Sequence, residues 1–181
     1  MIHELSGDIL FSGAKAIAQS VAPNDDFLHG LALQLRERLP AMYKDFRHYC
    51  QTKHPKSGGL WSWMSADGRY IVNLFTREAA YGVGSKPGHA KLSHVNRSLH
   101  ELREFVQKEK VGSLALPRLA CGMTGLDWDE VKPLIEKQLG DLRIPVYLYV
   151  TYQKGVKANE PPKYTNLGKG NRACRNSITS V

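Results

Sequence analysis

Three stretches of this sequence combine polar side chains with glycines or with signals for a helix start. The first is Gly7-Asp8-Ile9, in which the Asp8 carboxylate can accept a hydrogen bond from an exocyclic amine such as adenine N6. The backbone of Ile9 can contact a neighbouring ring nitrogen at the same time. Taken alone, Asp8 is better explained as an Asp in a turn, so the other two stretches decide its interpretation.

The second stretch, residues 23–30, contains Asn24, Asp25, Asp26 and His29 and leads into a predicted helix. The free N–H groups and the positive dipole end of such a helix suit a phosphate. The negative charges of two aspartates disfavour the binding of a bare anion in this stretch. The aspartates therefore cap the helix, bind a ribose hydroxyl or orient a water. His29 either donates to phosphate, acts as an acid or base, or makes a structural hydrogen bond.

The third stretch, residues 117–127, runs from a predicted strand to a predicted helix and contains Gly122 and Gly125. Glycines let backbone amides turn inward on a pyrophosphate without obstruction by side chains. No Gly-Lys-Ser/Thr follows, so the stretch is not a P-loop, and it lacks the full dinucleotide fingerprint. Cys121 is expected to be a small buried residue, since the sequence supplies neither a nearby base nor a cause for a lowered pKa.

Strands and helices are predicted to alternate around these stretches. Apolar or alternating runs predict strands at residues 2–5, 16–21, 60–65, 69–75, 113–116 and 144–150. Apolar residues at helical spacing predict helices that begin near residues 30, 40, 92 and 127. Asp67-Gly68 between two strands is a strong signal for an antiparallel hairpin.

This order of elements predicts an α/β fold with three α/β/α layers around a central mixed, mostly parallel sheet. In such open sheets the strand ends that bind ligands gather on one edge. The three stretches follow three different strands, so we expect them to converge on one site.

The composition fits one domain without bound metal. A chain of 181 residues with 42% hydrophobic content can bury one sizeable core. No secretory signal and no run of ~18 apolar residues is visible, which predicts a soluble cytoplasmic protein that does not enter a membrane. The three cysteines are widely separated and lack CxxC spacing, so we expect neither a disulfide framework nor a metal site, and no cofactor.

Most of the net charge of +8 lies in the final part of the chain. Residues 153–181 carry six Lys and Arg against Glu160 alone, which accounts for +5. They are rich in Gly, Pro and Asn and poor in apolar residues, so we expect a domain at residues 1–152 and a flexible basic tail at residues 153–181. Nucleic-acid binding through this tail and through Trp61 and Trp63 is a third possibility, although one tryptophan would face the core.

Four segments in this order resemble the macrodomain family over roughly residues 2–152. They are SGDI, HGLALQLRERLP, DGRYIVNLFT and LALPRLACGMTGLDWDEV. The resemblance is nearest to the branch of terminal ADP-ribose protein glycohydrolases and of antitoxins that remove ADP-ribose from DNA.

The resemblance implies that the ligand is ADP-ribose. Asp8 and Ile9 would recognise the adenine, while the pyrophosphate and distal ribose would lie between residues 29–31 and 121–125. Either Tyr147 or Tyr149 would lie against the adenine, unless it is a core tyrosine. The expected ligand-binding residues are Asp8, Ile9, Asn24, Gly30, Leu31, Thr76, Ala120, Cys121, Gly122, Met123, Thr124, Gly125, Tyr147 and Tyr149.

Two departures from the family bear on catalysis. The glycohydrolase branch has a lysine after the hairpin-strand Thr and an aspartate in the second loop, where this chain has Arg77 and Thr124. An Arg stays charged and cannot act as a Schiff-base nucleophile. The segment of residues 81–90 is longer than the corresponding segment of the family. It forms either a lid over the distal ribose or a plain surface loop. Lys86 or Lys91 in this region either replaces the missing lysine or is solvated.

We therefore predict a monomeric domain that binds ADP-ribose or an ADP-ribosylated protein or nucleic acid. The predicted activity is hydrolysis that removes ADP-ribose from a macromolecule, or processing of a derivative such as ADP-ribose 1''-phosphate. The catalytic candidates are Asp25, Asp26 and His29, which could orient and deprotonate a water. The alternative is a reader that binds ADP-ribose without turnover.

Overall fold

A computed structural model describes residues 1–122 and 125–162 of the chain. The described residues form six strands and four helices, with a 3₁₀ turn at Ile9–Phe11. The strands are β1 (Ile2–Gly7), β2 (Ala16–Val21), β3 (Leu60–Met64), β4 (Tyr70–Phe75), β5 (Leu114–Pro117) and β6 (Val146–Tyr152). The helices are α1 (Gly30–Arg38), α2 (Pro40–Lys53), α3 (Leu92–Lys108) and α4 (Trp128–Leu139). The predictions made for Met123, Thr124 and residues 163–181 lie outside the described residues.

The strands form one sheet in the order β1-β6-β5-β2-β4-β3. All neighbouring pairs are parallel except β3 and β4, which are antiparallel. The predicted mixed, mostly parallel sheet is therefore confirmed. Because β1, β6, β5, β2 and β4 run in the same direction, their carboxyl ends lie along one edge of the sheet.

Alternate residues of the strands enter two separate cores. Ile17 and Val21 pack with α1 and α2 on one face, while Ala16 and Ala18 pack with α3 and α4 on the other. This division follows from the two-residue period of a strand, in which both faces of a central strand are buried. The predicted three-layer α/β/α arrangement is confirmed.

Local signals place the elements close to their predicted bounds. Gly68 has a φ of 81° and its N–H donates to the Ser65 carbonyl at 3.0 Å, which makes the predicted hairpin turn. Pro40 begins α2, where its missing N–H has no helical partner to lose. Asp127 accepts from the Asp129 N–H at 3.0 Å and caps α4.

Trp61 and Trp63 both pack on the α1–α2 side of the sheet. The expectation that only one of them faces the core is wrong, because residues two apart on a strand share a face. Trp61 stacks on Tyr49 with ring centroids 5.7 Å apart, and the Trp63 indole N–H donates to Asp45 at 3.0 Å. Both tryptophans therefore support the packing of α2 on β3.

Residues 153–162, which we call the C-terminal strap, leave β6 at the carboxyl edge of the sheet and run back along the sheet towards Gly13, which precedes β2. The Asp8 N–H donates to the Val156 carbonyl at 2.7 Å, and the Tyr147 hydroxyl donates to the Pro161 carbonyl at 2.5 Å. A flexible tail was expected here because these residues are poor in apolar side chains. The strap is instead held by hydrogen bonds to residues distant in the sequence, which composition does not indicate.

Within residues 1–122 and 125–162, no helix combines the length and apolar character needed to cross a bilayer. The same residues contain no group of three or more His, Cys, Asp or Glu side chains that could hold a metal ion.

Candidate functional site

The three predicted stretches leave the sheet at the same edge. The 3₁₀ turn follows β1, loop 1 (residues 22–29) follows β2, and loop 2 (residues 118–127) follows β5. Since β5 pairs with β2, loops 1 and 2 leave adjacent strands. The strap follows β6, which lies between β1 and β5. The expected convergence on one edge is therefore present in the fold.

Asp8 is almost fully buried, at 3% exposure, and is tied to the strap. Its Oδ1 accepts from the Leu10 N–H at 3.1 Å and so caps the 3₁₀ turn, while its Oδ2 accepts from the Gly155 N–H at 3.0 Å. A carboxylate oxygen can accept more than one hydrogen bond, so Oδ1 and Oδ2 keep capacity for an amine of a ligand. Ile9 packs into the α1–α2 core. Adenine recognition by Asp8 and Ile9 stays a prediction.

Loop 1 is organised by the buried carboxylate of Asp25. Its Oδ2 accepts from the Ala22 N–H at 2.9 Å and its Oδ1 from the Phe27 N–H at 3.0 Å. Burial raises the pKa of this carboxyl, an effect opposed by the two backbone N–H donors and by the nearby Arg77 guanidinium. Asp25 therefore does not cap α1, and its contacts are those of a residue that shapes the loop.

Asp25→Asn is expected to lower the free energy of unfolding by ~1–3 kcal/mol, because an amide NH₂ would face one of two buried N–H donors. Because its pKa is raised, the Asp25 carboxyl of the folded protein keeps its proton over a range of pH above the ordinary Asp pKa. In the unfolded chain the same carboxyl has lost its proton over that range. The contribution of Asp25 to stability therefore falls as pH rises through that range. Urea denaturation should show a larger difference between wild type and variant at about pH 4 than at about pH 7. Equal differences at the two pH values would contradict this titration.

The other catalytic candidates lie at the start of α1. His29 precedes the helix in extended conformation, its side chain is exposed, and it makes no capping hydrogen bond. Asp26 is half-buried, and its backbone carbonyl accepts from Arg36 at 2.8 Å, which leaves the carboxylate for other partners. Gly30 has a φ of 59°, and a Cβ added there would meet nothing within 4 Å. The first N–H groups of α1, including that of Leu31, have no carbonyl partner within the helix.

Loop 2 makes a tight turn around Gly125. The Gly125 N–H donates to the Gly122 carbonyl at 2.8 Å, and the Leu126 N–H donates to the Ala120 carbonyl at 2.7 Å. A Cβ at Gly125 would lie 2.2 Å from the Ala120 oxygen, whereas a Cβ at Gly122 would meet none of the described residues within 4 Å. Gly125 is thus required by the turn, while no described residue restricts a side chain at Gly122. Burial raises the pKa of the Cys121 thiol, which disfavours a role as nucleophile.

The end of β4 brings Thr76 and Arg77 toward loop 1. Thr76 is fully buried and its hydroxyl bonds the Ser20 hydroxyl on the neighbouring strand. The Arg77 Nε donates to the Gly88 carbonyl at 2.9 Å, and its guanidinium interacts electrostatically with Asp25. Arg77 therefore fixes residues 78–90 to the edge of the sheet. Lys91 forms an exposed ion pair with Glu78, and its position does not show that it replaces the missing lysine.

Tyr147 and Tyr149 are buried and hydrogen-bonded to the strap. Tyr147 bonds Pro161, as described above, and the Tyr149 hydroxyl donates to a carboxylate oxygen of Glu160 at 2.7 Å. The Glu160 carboxylate also accepts from the Ser12 hydroxyl and from the Gly13 N–H. Contact of either tyrosine with adenine stays a prediction.

The analysis of the sequence did not identify the strap as a neighbour of Asp8, Tyr147 and Tyr149. One signal was present, since Glu160 is the single acidic residue among the basic ones of residues 153–181. An isolated carboxylate followed by Pro161-Pro162 is compatible with a fixed, extended segment, but its partners are distant in the sequence.

These features give the chain a macrodomain fold. The macrodomain of Thermus aquaticus DarG matches it with a TM-score of 0.73 and 27% identity, over 83% of this chain and 98% of that chain. No protein-family model matches the sequence. The fold of the chain is therefore similar to that of the DarG macrodomain.

Two curated relatives extend this likeness. A DNA ADP-ribosyl transferase-DNA ADP-ribosyl glycohydrolase fusion protein of Thermosipho africanus is 27% identical over 164 residues, which are 84% of this chain and 42% of the relative. The ADP-ribose glycohydrolase OARD1 of Bos taurus is 34% identical over 94 residues, 51% of this chain and 58% of the relative. The chain thus spans about half the length of the relatives it matches. The predicted place among glycohydrolase-related macrodomains is confirmed.

Proposed function

We propose that this chain binds ADP-ribose along the carboxyl edge of its sheet and hydrolyses the bond between the distal ribose and a macromolecule. The observation that carries the proposal is the position of Gly30 and Gly122 at the sheet edge that also holds Asp8. At both glycines, no described residue lies within 4 Å of an added Cβ. Amides at these turns suit a diphosphate, and Asp8 suits the adenine amine. The names of the relatives support ADP-ribose as the ligand.

Hydrolysis in this site uses water as the nucleophile. Arg77 cannot form a Schiff base with the ribose, so a water attacks the anomeric carbon, and the bond from that carbon to the acceptor group breaks. Asp26 or His29 takes a proton from the water, and the acceptor group leaves with the electron pair of the broken bond and is protonated by the conjugate acid of that base or by solvent. Asp25 holds the backbone that carries Asp26, because its buried carboxylate accepts from the Ala22 and Phe27 N–H groups on either side.

Binding is tested by calorimetry with ADP-ribose. The wild-type chain should bind, and Asp8→Ala and Gly122→Glu should each weaken binding about tenfold or more, by removal of the amine acceptor and by filling of the cleft. An absence of binding by the wild-type chain would refute the proposal.

Turnover is tested with an ADP-ribosylated protein, ADP-ribosylated DNA and ADP-ribose 1''-phosphate. Asp26→Ala or His29→Ala should lower kcat about a hundredfold or more while the affinity for ADP-ribose is kept, if that residue is the base. Consumption of none of the three substrates by a chain that binds ADP-ribose would support a reader instead. Arg77 at the lysine position is the observation that favours this second candidate.

The cytoplasmic location and the monomeric state belong to the same proposal. Cys50 and Cys121 are free thiols, as in a reducing compartment.

A further inference from the structure

Loop 1 contains two residues whose backbone lies in the left-handed region. The φ of Asn24 is 59° and the φ of Phe27 is 51°, and neither residue is a glycine. A side chain with a Cβ disfavours this conformation, which persists only where the surrounding structure holds the backbone in place. Asp26, one of the two candidate bases, lies between these two residues. The contacts that hold loop 1 therefore also fix the backbone from which the Asp26 side chain extends.

The Phe27 ring anchors the end of this segment. It is fully buried, and its centroid lies 4.7 Å from that of the Phe46 ring and 5.4 Å from that of the Tyr43 ring, both on α2. The burial of a large aromatic ring among other rings is favourable. It therefore offsets the cost of the left-handed backbone at Phe27.

The peptide group between Asp26 and Phe27 is held at both ends. Its carbonyl oxygen accepts from the Arg36 guanidinium at 2.8 Å, and its N–H donates to Asp25 Oδ1 at 3.0 Å. Because a peptide group is planar, hydrogen bonds on its two sides resist rotation of the whole group. Arg36 therefore restricts the ψ of Asp26 and the φ of Phe27.

A second arginine, Arg47 of α2, holds the preceding part of loop 1. It donates to the Asn24 carbonyl at 3.0 Å and to the Asp25 carbonyl at 3.4 Å. The carbonyl of Asp26 itself is held from α1, by Arg36. Two guanidinium groups from two helices thus bind three successive carbonyls of the loop, and Arg36 is the one that binds the carbonyl of the candidate base.

The Arg36 guanidinium is held by an aromatic ring and binds the backbone of Asp26 rather than its carboxylate. Its Cζ lies 4.2 Å from the centroid of the Tyr43 ring, a cation–π contact. Among the residues that the structure describes, no ion pair involves the Asp26 carboxylate. This carboxylate is therefore available to accept a proton from water.

We propose that Arg36 is a positioning residue for the hydrolysis, which holds the backbone of Asp26 so that the carboxylate meets the attacking water. The inference rests on the proposed function and selects Asp26 as the base, since His29 is exposed and makes no capping hydrogen bond. Reaction rates are sensitive to a displacement of about 1 Å in a catalytic group. Loss of the Arg36 hydrogen bond allows the strained peptide group to rotate, so turnover falls while Asp8 and the loop 2 amides still bind ADP-ribose.

The test is a double-mutant cycle between Arg36 and Asp26, measured on those of the three substrates named above that the wild-type chain consumes. Arg36→Met removes the hydrogen-bond donors, whereas Arg36→Lys keeps a cation that can donate to the carbonyl. Arg38→Met is the matched control, because Arg38 lies on the same helix with its Cζ 5.7 Å from the centroid of a different ring, that of Phe11. The readouts are kcat, Kd for free ADP-ribose and the melting temperature.

Arg36→Met should lower kcat about tenfold and change Kd for ADP-ribose about twofold or less. Arg36→Lys should recover most of the lost kcat, and Arg38→Met should match the wild type. With Asp26 already replaced by alanine, Arg36→Met should lower the residual kcat about twofold or less, since Arg36 acts through Asp26. A merely structural role of Arg36 would instead lower kcat equally in both backgrounds.

An unchanged kcat in Arg36→Met, an equal loss in both backgrounds, or an equal weakening of ADP-ribose binding would overturn the inference. Full activity of Asp26→Ala would also overturn it, while the proposed function stands with His29 as the base. A wild-type chain that binds ADP-ribose and consumes none of the three substrates would remove the proposed hydrolysis and the inference together.

Discussion

A chain that ends at Tyr152 is expected to melt well below the full chain and to bind ADP-ribose about tenfold or more weakly. The truncation removes the Gly155 and Val156 partners of Asp8 and the Glu160 carboxylate that joins Ser12, Gly13 and Tyr149. At about 0.5–1.5 kcal/mol for each hydrogen bond, the loss is ~3 kcal/mol or more. The affinity falls because Asp8 loses the amide that orients its carboxylate.

The matched control is a chain that ends at Pro162, which keeps every strap contact described here. Differential scanning calorimetry and ADP-ribose titration should give the same values for this chain and for the full chain. If the chain that ends at Tyr152 also matches the full chain in both measurements, residues 153–162 form a separate appendage, as the composition alone suggested.

Gly125→Ala is expected to destabilise the domain by ~2 kcal/mol or more, since its Cβ would lie 2.2 Å from the Ala120 oxygen. The clash is with backbone atoms, so a side-chain rotation cannot relieve it. Loop 2 must open, and the affinity for ADP-ribose should fall about tenfold or more because the amides of the turn lose their direction.

Gly122→Ala, in the same loop, provides the comparison for stability. Its Cβ would meet no residue within 4 Å in the part of the chain that the structure describes, so the melting temperature of this variant should stay close to that of the wild type. Thermal melts of both variants give the test. Equal destabilisation by Gly122→Ala and Gly125→Ala would show that the two glycines are required for the same reason.

The fold was predictable because its signals are local. Pro40 marks the start of α2, Gly68 marks the hairpin turn, and Asp127 caps α4, each through a bond within a few residues. The end of β1 was predicted less accurately, since the strand extends to Gly7 and the prediction ended at residue 5. These last residues pair with Thr151 and Tyr152 after a register shift, which depends on a distant partner.

The positions of the loops at the candidate site were predictable from the sequence, whereas the burial and hydrogen bonds of their side chains were less so. The glycines of loop 2 and at the start of α1 lie at the carboxyl edge of the sheet, as expected, because strand order determines where loops leave a sheet. The burial of Asp25 was not predictable, since loop 1 folds so that its carboxylate faces inward to Ala22 and Phe27. The strap was missed because the partners of Glu160 lie up to 148 positions away.

The pairing of β1 with β6 also determines when the sheet can be completed during synthesis of the chain. β1 is the first strand made, yet its only neighbour in the described sheet is the last, and Asp8 meets Gly155 across 147 positions. A nascent chain can therefore complete the β2–β4 half of the sheet while the β1–β6 side stays unassembled. The hydrogen bonds of Asp8 to Gly155 and Val156 form only after these residues have been translated.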